Sequence, residues 1–362
     1  PSPCRCDDLK HRRGPHMLLA GVEGGGTTFV VAIVEDSPEN APLERAEFQT
    51  TTPADTLRQV KKWLREHDYD ALGIACFGPV DLRPDSETYG YITTTPKPGW
   101  ANTDILGELS RVKPNVPVLF DTDVNAPALA EYAYRHGHAH NAAVGRSRRD
   151  TSLETSCAYI TVGTGVGVGL VINGACVHGM LHPEGGHIPV PPRPGDSFRG
   201  VCSVHGSCLE GMCCSEALAQ RAGVHRSMLA SLPNEHPVWD DAAYYLAALC
   251  ASLVLLCSPE RIILSGGVMQ RECLFPLIRT KLKDVFLKGY LDHPLCTVEI
   301  DRLVVPSQWG NNAGVVGALA LANEAWLRQQ ARGRKGRLAK AIKRVVVGLA
   351  IANLWASVKR KC

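Results

Sequence analysis

Gly21-Val22-Glu23-Gly24-Gly25-Gly26-Thr27-Thr28 stands between two β-rich runs, Met17 to Val22 and Phe29 to Val34. Glycine presents bare backbone N–H groups to an anion without a Cβ in the way, and successive N–H groups form a nest for phosphate oxygens. Thr27 and Thr28 add hydroxyl donors. Taken alone, the stretch is equally a plain hairpin turn. It is neither a P-loop, which needs Gly-Lys-Ser/Thr opening a helix, nor the dinucleotide pattern GxGxxG. A second turn, Gly163-Thr164-Gly165-Val166-Gly167, leaves the β run Cys157 to Val162 and enters Val168 to Ile172. A third, Ser265-Gly266-Gly267-Val268, leaves the run Arg261 to Leu264. Three such turns at strand ends, spread over both halves, suggest two phosphate clamps and a nucleobase or ribose contact, and an internal duplication.

Between the turns, strand-like runs (Leu72 to Ala75, Val116 to Phe120) alternate with helical spacing, as in Leu57, Val60, Trp63 and Leu64. This alternation predicts an α/β fold. The 362 residues, 45% hydrophobic and 21% charged, suffice for about two domains. The predicted division is a leader over 1–16, a small α/β domain over 17–124 and 312–327, a larger one over 125–311 with an insert at 180–214, and a tail over 328–362. The net charge of +3 hides an asymmetry, because 328–362 holds eleven Lys/Arg and no Asp/Glu, leaving residues 1–327 at −8. Basic residues confined to a tail argue against a nucleic-acid surface. The fourteen-residue apolar run Val345 to Val358 spans about 21 Å as a helix, short of a bilayer core. An interfacial helix, a helix docked on the protein and a plain extension all fit it, and no firm membrane association is expected.

Phe120-Asp121-Thr122-Asp123-Val124-Asn125 puts carboxylates at a strand end, before a helix expected over Ala126 to His136. A phosphoryl acceptor needs a carboxylate within reach of its hydroxyl proton. Of Asp121 and Asp123, only one is expected to enter a given cleft. Asp123 is favoured because Asn125 beside it can hydrogen-bond a sugar hydroxyl. The competing role is a helix N-cap by Asp123 or Asn125. Cys202-Ser203-Val204-His205-Gly206-Ser207-Cys208, with His187 fifteen residues upstream of Cys202, offers four N/S ligands for a closed structural zinc site. Glu184 and Glu210 flank the cluster and suit polyol hydroxyls. Cys76, Cys157, Cys250 and Cys257 fall within apolar stretches and read as reduced core residues in a reducing compartment.

From Met17 to about Leu327 the chain resembles the ROK family of sugar kinases, and within it the bacterial-type fructokinases. The resemblance rests on Glu23-Gly24-Gly25-Gly26-Thr27, Gly163-Thr164-Gly165-Val166-Gly167 and Gly266-Gly267-Val268. It also rests on Phe77-Gly78-Pro79-Val80-Asp81-Leu82 and on the run Tyr89 to Trp100. It implies the two-domain actin/hexokinase-like, ribonuclease H-like fold with an interdomain cleft, a zinc-bound insert and a last helix crossing back to the first domain. It further implies ATP with Mg²⁺, Asp123 as catalytic base, and Asn125, Glu184, His187 and Glu210 on the sugar side. Gly24 to Thr28, Gly163 to Gly165, Gly266 and Gly267 fall to the nucleotide. His187, Cys202, His205 and Cys208 fall to Zn²⁺. Fructose is the expected hexose, with mannose or glucose, or a weakened sugar-binding scaffold, as alternatives. A homodimer in the cytoplasm is the expected state. Repressors of the family carry a helix-turn-helix domain ahead of the kinase-like body, and sixteen residues before Met17 are too few for one. Thr28 stands where the first motif commonly has lysine.

Overall fold

The computed structural model describes residues 16–143, 155–293 and 299–333. Most of the expected leader, and the tail beyond 333, lie outside these. The first sheet is built from β1 (Leu18–Gly24), β2 (Thr28–Glu35), β3 (Glu44–Gln49), β4 (Ala71–Cys76) and β5 (Val118–Thr122). Its order is β3-β2-β1-β4-β5, with β1–β2 and β2–β3 antiparallel and β1–β4 and β4–β5 parallel. The second sheet uses β6 (Ser156–Val162), β7 (Val166–Ile172), β8 (Ala175–Cys176), β9 (Arg261–Ser265) and β10 (Val304–Pro306). Its order, β8-β7-β6-β9-β10, repeats the first sheet's pattern of antiparallel and parallel neighbours. The duplication suggested by the glycine turns is thus a duplication of sheet topology.

Both faces of each sheet are covered, which explains the near-continuous apolar strands. Val22, Val31, Leu72 and Ile74 pack with Leu57, Val60 and Leu64 of α1 (Pro53–Glu66), while Leu19, Val34 and Ala71 on the opposite face meet Val315 and Leu319 of α7 (residues 313–333). The last helix therefore returns to the first sheet. It continues past Leu327 without a break, and Arg328 pairs with Glu324 one turn back at 2.7 Å. The composition changes at 328, whereas the helix does not.

Between the sheets runs α2 (Asn125–Ala143), whose Ala128 packs under Tyr159 and Val171 of the second sheet. The insert carries α3 (Leu209–Cys213), followed by α4 (Ser215–Ala222). The opposite face of the second sheet holds α5 (Val238–Cys257) and α6 (Leu274–Lys281). Among the described residues α5 alone is long and apolar enough to cross a bilayer, but most of it is buried in this core. Its all-round apolar character is that of a central helix. Cys76, Cys157 and Cys250 are buried, and Cys257 is partly so.

Candidate active site

Residues two apart on a strand share a face, but β5 ends at Thr122, and the turn beyond the strand parts Asp123 from Asp121. Asp121 is buried and faces away from the cleft. Its Oδ1 accepts from the Thr122 N–H (2.7 Å) and from Asn125 Nδ2 (2.9 Å), and its Oδ2 lies 2.8 Å from His178 Nε2. Asp123, anchored by its own N–H donating to the Cys76 carbonyl at 3.0 Å, lines a cleft of about 740 Å³. Glu184, His187 and Glu210 line the same cleft, together with Gly78, Thr94 and Thr95 from the two segments that resemble fructokinases. Burial, and then the negative charge of Glu184, push the Asp123 carboxyl up to about 6. Helix capping falls to Thr122, whose hydroxyl accepts the Asn125 N–H at 3.0 Å.

Asn125 departs from the expectation. It is fully buried and absent from the cleft lining, with its amide held by Asp121 on one side and by the Leu170 N–H (3.3 Å) on the other. As the first residue of α2, four positions after Asp121, it turns inward to satisfy a buried carboxylate. It braces the turn that presents Asp123.

The β6–β7 turn divides two cavities. Gly163 and Thr164 line a second cavity of about 720 Å³ with Gly267, Ser215, Arg226 and Trp239, whereas Gly167 and Val168 line the Asp123 cleft. Gly165 lies between them, and Glu210 Oε2 accepts the N–H of the next residue, Val166, at 3.0 Å. A Cβ at Gly165 would stand 2.6 Å from that oxygen, so only glycine admits the carboxylate this close. Gly266 has φ 93° and packs on Val162, which turns Gly267 rather than Gly266 toward the second cavity. The first turn differs from expectation: Gly24, Gly25, Gly26, Thr27 and Thr28 line neither cavity. They close a hairpin through the Gly25 N–H donating to Thr28 O at 3.0 Å, with Gly26 and Thr27 exposed at its tip.

The ligand atoms of His187, Cys202, His205 and Cys208 all lie within 4.8 Å of one another. The Cys202 Sγ is 3.8 Å from Nδ1 of both histidines, and the Cys208 Sγ is 3.6 Å from His187 Nδ1. Zinc bonds of about 2.3 Å to sulfur and 2.0 Å to nitrogen at tetrahedral angles put S and N about 3.6 Å apart, so the donors fit that ion. Burial pushes the Cys208 thiol up to about 11, a penalty a divalent cation would remove. Glu184 sits three residues before His187 and Glu210 two after Cys208, so these two of the three cleft carboxylates bracket the cluster.

Two groups escaped the sequence-based selection of site residues. Glu23, the first residue of the Glu-Gly-Gly-Gly-Thr motif, is raised to about 7 by burial and then by Asp123, and accepts the Val315 N–H at the start of α7. Its place in the motif was the available signal. His182 also lines the cleft. Its Nε2 accepts the Val80 N–H at 3.1 Å, and its Nδ1 lies 3.4 Å from the Pro183 carbonyl and 3.6 Å from Glu184 Oε1; no spacing rule points to it.

Comparison with known proteins adds three findings. The fructokinase of Pediococcus pentosaceus is 38% identical over 311 residues, covering 85% of this chain and 99% of that protein. The fructokinase of Streptococcus mutans is 35% identical, covering 85% of this chain and 98% of its own. The crystal structure of a ROK family glucokinase from Streptomyces griseus with glucose and AMPPNP superposes with TM-score 0.64 at 23% identity, over 85% of this chain and 99% of that one. That likeness shows the α/β kinase fold. The profile of the ROK family matches residues 19–325, and with close relatives aligned over nearly their whole length, the chain belongs to the ROK family.

Proposed function

We propose that this protein is an ATP-dependent fructokinase that transfers the terminal phosphoryl group of ATP to the 6-hydroxyl of fructose. Asp123 carries this reading: a carboxyl whose pKa is raised to about 6 lines the cleft beside Glu184 and Glu210, and the glycine turn beyond that cleft opens on a second cavity of nucleotide size. The aligned fructokinases support fructose as the hexose. Glu184 and Glu210 accept hydrogen bonds from hydroxyls of the sugar, and His182 orients Glu184. Asp123 accepts the proton of the attacking hydroxyl as its oxygen bonds to the terminal phosphorus and the bridge to ADP breaks. Closure of the two lobes brings the Gly24–Thr28 turn onto the phosphates and excludes water.

Magnesium fits the hard oxygen donors here, with Glu23 the residue that would hold it, since a cation offsets the charge that burial penalises. When bound it neutralises charge developing on the phosphoryl oxygens. Zinc, held by His187, Cys202, His205 and Cys208, fixes the loop that presents Glu184 and Glu210. A homodimer in a reducing cytoplasm completes the proposal. Steady-state assays with ATP and fructose, mannose or glucose test it. The expected outcome is the highest kcat/KM with fructose. Preference for mannose or glucose moves the substrate assignment, and no turnover on any hexose overturns the enzyme.

A further inference from the structure

We propose that Arg226 binds a phosphate group of the nucleotide, an inference that rests on the kinase reading above. The three glycine turns, residues 21–28, 161–169 and 265–268, contain no lysine or arginine, and the body of the chain carries net negative charge. A nucleoside triphosphate brings three phosphate groups bearing several negative charges to that body, so a local cation is needed to draw it in. Among the described residues, the cavity lined by Gly163, Thr164 and Gly267 has two cations, Arg226 and Arg271, and one carboxylate, Glu272. Arg271 is already engaged. Its guanidinium stacks 4.2 Å from the Trp239 ring centre, and it donates to Asn234 Oδ1 at 2.5 Å and to the Ala230 carbonyl at 2.9 Å.

Arg226 is placed differently. It opens the short turn Arg226–Ser231 between α4 and α5, its side chain is exposed, and it forms no ion pair among the described residues. Its one side-chain hydrogen bond runs from Nη2 to Thr164 Oγ1 at 3.3 Å, a long contact that holds the guanidinium over the Gly163–Gly165 turn. Most of its five donors have no hydrogen-bond partner among the described residues, and the side chain lines a cavity of about 720 Å³. A planar fork beside a glycine nest matches phosphate geometry, and a charge-assisted pair there is about twice as strong as a neutral bond. The cation the glycine turns lack is thus supplied by a separate element and reaches the nucleotide from the side of the second lobe.

Calorimetric titration of the full chain with AMPPNP and with adenosine tests this on wild type, Arg226→Gln and Arg226→Lys. Arg226→Gln is expected to weaken AMPPNP binding about tenfold or more, leave adenosine binding unchanged, and flatten the dependence of AMPPNP affinity on salt. Arg226→Lys, which keeps the charge but loses the fork, is expected to bind AMPPNP with an affinity between those of wild type and Arg226→Gln. AMPPNP affinity in Arg226→Gln within about twofold of wild type overturns the proposal, as does an equal loss for adenosine, which marks a purely structural hold on the turn. Wild-type protein that binds no AMPPNP removes the kinase reading itself, a result separate from either.

Discussion

Asp123 sits where burial and the charge of Glu184 work against its own ionisation, and both effects serve a base that must take a proton near neutral pH. Because the ionised form accepts the proton, kcat/KM for the sugar is predicted to rise with pH through an apparent pKa near 6 and level off above it. The same shift has a stability sign. A folded pKa above the unfolded value of about 3.9 means that the native state binds more protons, so stability falls as pH climbs through that interval. Thermal unfolding of Asp123→Asn should therefore show a gain of about 1 to 3 kcal/mol over wild type at pH 8 and little gain at pH 4. Equal differences at both pH values contradict the buried-charge account. Asp123 was legible in the sequence as a carboxylate between a strand and a helix; alternation does not separate it from Asp121, because residues two apart share a face, whereas the end of β5 at Thr122 does. Asn125 was not legible, since its type suits a sugar hydroxyl and a buried carboxylate equally. Only the position of Asp121 behind the turn decides between them.

At the scale of elements, strands that are buried on both faces announce themselves. The apolar runs Leu72 to Ala75 and Arg261 to Leu264 fall inside β4 and β9. Strand β3 had no such signal, because Glu44, Arg45, Glu47 and Gln49 leave only Ala46 and Phe48 to face the core. An edge strand with so little apolar surface reads as a loop. The His/Cys cluster was legible because its members are close in sequence, three of them within seven residues. What spacing did not convey is the hold of Glu210 on the β6–β7 turn, a contact made across 44 positions. If zinc fixes Glu184 and Glu210, removing it should raise the KM for the sugar by about tenfold or more while the KM for ATP moves little. Metal analysis of the purified protein, followed by chelation and kinetics, checks this; unchanged sugar KM after loss of the metal would falsify the role given to the loop.

For the whole molecule, one strand order occurs twice, and α2 and α7 join the copies. The sequence carried the duplication only in its glycine turns, since the two halves share topology rather than residues. The separation of the first turn from both cavities was not readable from motifs, which record composition and not the angle between lobes. In the proposed mechanism, domain closure removes that separation. Small-angle scattering is predicted to show a smaller radius of gyration with fructose and AMPPNP together than with neither, and an unchanged radius would argue that the first turn never reaches the phosphates.

The carboxylate at 123 is tested most directly by the rate of fructose-dependent ADP formation in wild type and Asp123→Asn, with fructose affinity measured on the same samples. The predicted result is turnover in the wild type and a fall of about 10²- to 10⁴-fold in the variant at unchanged fructose affinity. Turnover that survives the substitution contradicts the account.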